Sequence, residues 1–313
     1  MLKKIDKLFT LIRNFFKNEY YSFTSSHKYL NRKQMLKIES LLNYPNENII
    51  VEYENAFSSL IGGGCSVSYA SARMGFFSLM SFLKIGKGDE VVLLAATCSV
   101  MSNAVLRVGA IPIYSDIDPN TFGSDIDAIK KVVSKQTKMI VAQHSFGIPC
   151  DIKPIVEFAK KNSIFLLEDC ALSLGSKFNG VRVGNFGDAA IFSTDKSKPL
   201  NTLTGGVLYS TNCELIDKLK VKSVKLMHMP SSKHKLLFSH LKLERKFYSR
   251  SNESRVDTLL LLKSKIFSKT SAFLDEDFSS KPSRSYPYPS RMPSFLAQLG
   301  LYELRNWEKA VSY

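Results

Sequence analysis

The sequence predicts an α/β protein with a mostly parallel central sheet flanked by helices. Three observations carry that prediction. Between about Glu90 and Ser210, short apolar runs alternate with amphipathic helical stretches. The apolar runs are nearly continuous in β-branched and large side chains, the pattern of strands covered on both faces. With 313 residues, 44% of them hydrophobic, the chain can bury a sizeable core.

In chain order, EVVLLAAT reads as a strand, SVMSNAVLRVG as a helix, AIPIYSDID as a strand and SDIDAIKKVVSK as a helix. KMIVAQHSF, DIKPIVEFAKKN and SIFLLEDCA repeat the alternation as strand, helix and strand. DAAIFST and GGVLYST are two more strands with no room for a helix between them, so this side of the sheet is expected to depart from simple alternation. Before all of these, SVSYASARMGFFSLMSFL places a helix start near Ser71, where the backbone amides of Ala70 to Arg73 are suited to an anion. Ligands of open α/β sheets bind beyond the carboxyl ends of the strands. The polar residues at those ends are Thr97 and Cys98, His144 and Ser145, Glu168 and Asp169, and Ser193 to Lys198, and they are expected to converge on one crevice.

The net charge of +15 is unevenly spread. Residues 218–270 hold fourteen Lys or Arg against three acids, and residues 1–35 hold eight against two, which leaves the remaining body near neutral. No nucleic-acid reading module accompanies the charge, so nucleic acid is not the expected partner. Residues 1–20 read as a basic amphipathic helix that packs on the body or a partner subunit, or associates weakly with a membrane surface. No apolar run is long enough to span a bilayer and no secretory leader is evident, so a cytoplasmic location is expected. Five dispersed cysteines without a CxxC pair argue against a disulfide framework or a metal site and predict reduced thiols. The expected organisation is a basic segment over 1–45, a ligand-binding large domain over 46–215, a basic insertion over 216–285 and a C-terminal segment over 286–313.

The ordered motifs SYASARMGF, GDEVVLLAATCSVMSNAVLRVGAIPIYSDIDP, QHSFGIPCDI, LLEDCALSLGS and GNFGDAAIFSTDKSKPL…GG resemble those of the DegT/StrS-type sugar aminotransferases. The resemblance runs from about Glu54 to Gly206, with a weaker echo at SRMPSFLAQLGLYEL. It implies the fold type I large domain of pyridoxal 5'-phosphate (PLP) enzymes. Counting from the F-S pair at Phe192, the Schiff-base lysine of that family falls on Lys198 and not on Lys196. By itself a lysine in such a turn is an ordinary solvated residue; the ordered motifs are what single it out.

On the same resemblance, Asp169 is the carboxylate that keeps the cofactor's pyridine nitrogen protonated. Ser193 and the turn at Ser71 and Ala72 are the phosphate holders. Cys98 stands where a ring-stacking side chain is usual, and His144 is either a cofactor neighbour or a packed histidine. Leu172, Thr204 and Pro289 depart from the family's usual polar residues, and relatives continue past the segment matching LGLYELRNWEKAVSY, so 286–313 is expected to begin a curtailed C-terminal domain. The implied activity is PLP-dependent transamination of a nucleotide-activated keto sugar, with glutamate as amino donor, by a homodimer in surface polysaccharide or amino-sugar biosynthesis. The alternative is a catalytically inactive relative acting as a binding or scaffold subunit.

Overall fold

The computed structural model describes residues 27–247 and 286–311. Its strands are β1 (Cys65–Tyr69), β2 (Glu90–Leu94), β3 (Ile111–Ser115), β4 (Thr137–Gln143), β5 (Phe165–Asp169), β6 (Lys177–Phe178), β7 (Val181–Arg182), β8 (Ala189–Ser193) and β9 (Gly206–Ser210). The helices are α1 (Arg32–Asn43), α2 (Glu47–Ile61), α3 (Ala72–Phe82), α4 (Ser99–Val108), α5 (Ile126–Val132), α6 (Ile152–Lys161), α7 (Cys213–Ser223), α8 (Ser231–Phe247) and α9 (Ser294–Val311).

Seven strands form one sheet in the order β1-β9-β8-β5-β4-β2-β3. All neighbouring pairs are parallel except those of β9, which runs antiparallel to both β1 and β8. This is the departure from alternation that the missing helix after DAAIFST predicts. β8 turns back directly as β9, and the connecting loop carries both Lys196 and Lys198.

Strand periodicity explains how the sheet is covered. On β4, Met139 and Val141 join one apolar cluster, which is packed by α2, α3, α7 and α9, whereas Ile140 and Ala142 join another with Ile152 and Ile155 of α6. Phe192 on β8 is buried against Phe57 of α2, ring centroids 5.3 Å apart, and fixes the strand that leads into the lysine loop. Phe192→Ala would cost about 3–5 kcal/mol. At the edge, β3 does not follow the expectation of cover on both faces: Ile111 and Tyr114 are exposed, and Pro112 sits where an edge strand tolerates it.

The segments expected as basic appendages are partly built into the body. A short turn at His27–Tyr29 precedes α1, which is capped at Asn31 by a reciprocal bond with Gln34. Leu30, Ile38 and Leu41 enter the core. Helix α8 buries Leu237, Phe238 and Leu241 together with Lys233 and Glu244, while Lys235, Lys242 and Lys246 face outward, so only part of its charge lies on the solvated side. The expected amphipathic helix within residues 1–20 and the rest of the basic block beyond Phe247 lie outside the described residues.

Two of the cysteines expected to be reduced are instead joined, Cys65 to Cys213, with Cα atoms 5.1 Å apart. The reason is topological: β1 starts at Cys65 beside Ser210 of β9, and α7 begins at Cys213 just after that strand. A separation of 148 residues hides a pairing that antiparallel register creates. Cys98, Cys150 and Cys170 are free thiols.

Candidate active site

Asp169 ends β5 between Gln143 of β4 and Ile191 of β8. It is buried, and its carboxylate accepts one amide bond, from Ala171 at 3.0 Å. Burial pushes the carboxyl up; the Ala171 amide and the Lys198 charge oppose that shift. Half-buried Lys198 therefore stands close enough for its charge to be felt, yet among the described residues no carboxylate pairs with its Nζ. Its backbone amide closes a turn onto the Asp195 carbonyl at 3.0 Å. Burial pushes the Asp195 carboxyl up, and the Ser197 amide and the charges of Lys198 and Arg73 act against that shift.

Ser71 is the N-cap of α3, but its hydroxyl makes no capping bond and is buried without a partner. An orphaned hydroxyl at a helix N-terminus suits an anion that would supply the missing acceptor. Sheet register brings the other expected phosphate holder alongside, since Gly206 of β9 pairs with Tyr69 on one side and Ser193 on the other. Gly206 must lack a side chain because a Cβ there would lie 2.1 Å from the Ala72 nitrogen. Ser193 and the Ser71–Ala72 turn thus flank the same glycine.

The departures from the family pattern have local uses. Thr204 donates its hydroxyl to the Ala70 carbonyl at 2.8 Å, tying the lysine loop to the turn before α3. Pro289 lies in a strap over that turn: Ser290 accepts the Ala70 amide at 3.0 Å, Arg291 bridges to Tyr69, and Tyr288 donates to the Arg73 carbonyl at 3.3 Å. Leu172 is half-buried just beyond Asp169.

His144 is a packed histidine at the end of β4. Its Nδ1 accepts the Cys150 amide at 3.1 Å, which leaves the ring proton on Nε2, 3.1 Å from Glu168 Oε2. Both ring nitrogens are engaged, so the ring can offer a ligand only its face. Its own amide donates to the Asp169 carbonyl at 3.1 Å and steadies that residue. Cys98 is exposed at the start of α4, beyond β2 and two strand positions from β5. Sheet register thus brings Ser193 and the Ser71–Ala72 turn to either side of Gly206 and the charge of Lys198 acts on Asp169, while the His144 amide bonds the Asp169 carbonyl and Cys98 follows a strand two positions away from β5.

Three features escaped the sequence reading. Glu168 has its carboxylate taken by the amides of Gly184, Phe186 and Gly187 at 2.7–2.8 Å in addition to His144. Ligand atoms of His144, Glu168 and Cys170 lie within 4.8 Å, but these bonds already occupy the histidine and the carboxylate. Thr194 and Thr202 share a hydroxyl–hydroxyl bond of 2.7 Å that closes the base of the lysine loop. A third feature, on the far side of that loop, is a buried cluster of His27, His240, Glu244 and Glu303. Only the hairpin beside Glu168 had a readable local signal, Asn179-Gly180 between β6 and β7, both at positive φ.

Among curated proteins the chain is 33% identical over 171 residues to the GDP-perosamine synthase of Escherichia coli O157:H7, covering 55% of this chain and 47% of that one. It is 34% identical over 168 residues to the UDP-N-acetyl-3-dehydro-alpha-D-glucosamine 3-aminotransferase of Acidithiobacillus ferrooxidans, covering 53% and 46%. The chain spans about half the length of the curated relatives it matches. Among solved structures it resembles E. coli GDP-4-keto-6-deoxy-D-mannose-3-dehydratase with bound hydrated PLP, with a TM-score of 0.67, 21% identity, and 94% and 69% coverage of the two chains. That likeness shows a shared fold. Residues 28–244 match the DegT/DnrJ/EryC1/StrS aminotransferase family, and the chain belongs to it.

Proposed function

We propose that this protein is a PLP-dependent aminotransferase acting on a nucleotide-activated keto sugar, with glutamate as amino donor, in surface polysaccharide or amino-sugar biosynthesis. The observation that supports the reading is a lysine, Lys198, whose Nζ no carboxylate pairs among the described residues and whose charge acts on a buried, sparsely bonded carboxylate, Asp169, together with a Ser71 hydroxyl left without a partner at a helix N-terminus. That constellation fits a group with a reactive aldehyde, a basic ring nitrogen and a phosphate. The names of the relatives above supply the sugar-nucleotide class.

In this reading Ser71, Ala72 and Ser193 hold the phosphate, and Asp169 keeps a proton on the ring nitrogen. When bound, the group supplies an electron sink for the pair left as a proton departs the carbon bearing the amine. Lys198 would hold the group through its Nζ, and that same amine would move the proton. His144 holds the Asp169 carbonyl through its backbone amide, and Cys98, at the start of α4, takes the ring-facing position in this reading. The proposed assembly is a homodimer in the cytoplasm. Among the described residues no helix is long and apolar enough to cross a membrane.

The test is the visible spectrum of the purified protein with added PLP, followed by borohydride reduction and peptide mapping. A coloured protein with the label on Lys198, lost in Lys198→Ala, supports the reading. A protein that takes up no PLP overturns it and favours the inactive binding or scaffold subunit.

A further inference from the structure

Two lysines sit two residues apart in the loop between β8 and β9, and their surroundings differ. The side chain of Lys196 reaches Glu244 of α8, Nζ to Oε1 3.8 Å. Glu244 is fully buried. Its Oε2 lies 2.9 Å from His27 Nδ1 and its Oε1 3.0 Å from His240 Nε2. The other nitrogen of His27 lies 3.0 Å from the Asn201 carbonyl, which can only accept. With a carboxylate on one side and a carbonyl on the other, both nitrogens of His27 must donate, so the ring is a cation. The cluster thus grips the loop twice, at Lys196 through Glu244 and at Asn201 through His27. Glu303 of α9 adds a third hold by accepting the Asn201 amide at 3.4 Å.

We propose that Glu244 is the positioning residue that decides which lysine of the loop serves the cofactor, by holding Lys196 in the His27–Glu244–His240 cluster and leaving Lys198 as the amine beside Asp169. The inference rests on the proposed PLP chemistry but concerns a different part of the chain. Two primary amines this close in sequence compete for one aldehyde. Glu244 engages the Nζ of Lys196 at 3.8 Å, and an amine drawn to a buried carboxylate is withheld from the aldehyde. Among the described residues no carboxylate pairs with the Nζ of Lys198, whose charge acts on Asp169. Among the described residues the partners of Glu244 are His27, His240 and Lys196, so its effect on the loop is exerted through Lys196.

The experiment uses the full-length protein loaded with PLP, reduced with borohydride and mapped by mass spectrometry. The parent is expected to carry its label on Lys198. Lys198→Ala is expected to retain PLP without covalent label, because Lys196 stays held. The double variant Lys198→Ala with Glu244→Gln is expected to place the label on Lys196, a gain that simple loss of packing would not produce. Label on Lys196 in Lys198→Ala alone overturns the proposal, and so does a folded, PLP-binding double variant with no label there.

A second measurement needs no double variant: competitive reductive methylation of the parent without PLP. Lys196 is expected to react about tenfold more slowly than Lys198, the difference shrinking in Glu244→Gln. Equal rates in the parent overturn the proposal. A parent that takes up no PLP is a failure of the functional reading itself, visible before any variant is made.

Discussion

Glu168 and Asp169 are adjacent, both buried and both acidic, yet the two sides of β5 treat them oppositely. On one side, Glu168 receives three amides and a histidine N–H. On the other, Asp169 receives a single amide. A saturated carboxylate is a structural tie, and its charge is spent on holding the 184–187 loop. A sparsely bonded carboxylate beside a lysine retains the capacity to bind something else. Acid type and burial do not separate the two; the number of donors aimed at each does.

The comparison is sharpened most by Lys198→Ala, expected to lower transamination of a keto-sugar nucleotide by about 10³-fold or more while leaving the urea midpoint within experimental error. Asp169→Asn should follow with a loss of about 10²–10³-fold in kcat and little change in stability, since only one amide bond is disturbed. Glu168→Gln should show the reverse. It exchanges a multiply bonded carboxylate for a group with fewer acceptor sites, and about 2–4 kcal/mol of unfolding free energy should be lost in a denaturant titration. Comparable effects of Asp169→Asn and Glu168→Gln on both kcat and stability would break the distinction.

A smaller effect, about 1–3 kcal/mol, is expected from pH acting on the His27–Glu244 pair. Burial alone would push Glu244 up, but His240 and His27 hold it down at about 2, from an ordinary 4.5. Its contribution is present above about 4.5 and lost as pH falls toward 2. Burial would lower His27; the bond to Glu244 and the charge of Glu303 win and raise it above 6.5. That contribution is complete below 6.5 and is lost as pH rises through the raised value. Stability should therefore plateau between about pH 4.5 and 6.5, and His27→Gln should flatten the alkaline decline in thermal melts. The smallest effect belongs to Ser71→Ala, expected to weaken PLP binding by about three- to tenfold in a fluorescence titration without loss of stability, because the hydroxyl has no partner to lose.

Much of this was readable before any coordinates. The strand at FLLED, the helix start at Ser71 and the missing crossover after DAAIFST are local patterns of apolar period and turn chemistry, and they appear where periodicity places them. On the family's spacing from Phe192 the lysine falls on Lys198, whose charge acts on Asp169, while Lys196 reaches Glu244. The Asn179-Gly180 hairpin carried a short-range signal that went unread. Less legible were charges: the basic stretch over α8 reads as an appendage, because a count of lysines does not reveal that Leu237, Leu241 and Glu244 share its inner face.

The amino-acid sequence by itself determined the α/β alternation and the end of the sheet where polar residues gather, since each depends on neighbours a few positions away. Tertiary structure alone decided the Cys65–Cys213 pairing, the saturation of Glu168 and the burial of His27 against Glu244 across 217 residues. The physical reason is one of range. Side-chain period and turn preference act over single turns and strands, whereas hydrogen-bond satisfaction and charge pairing depend on which distant segments the packed sheet brings within about 3 Å of each other.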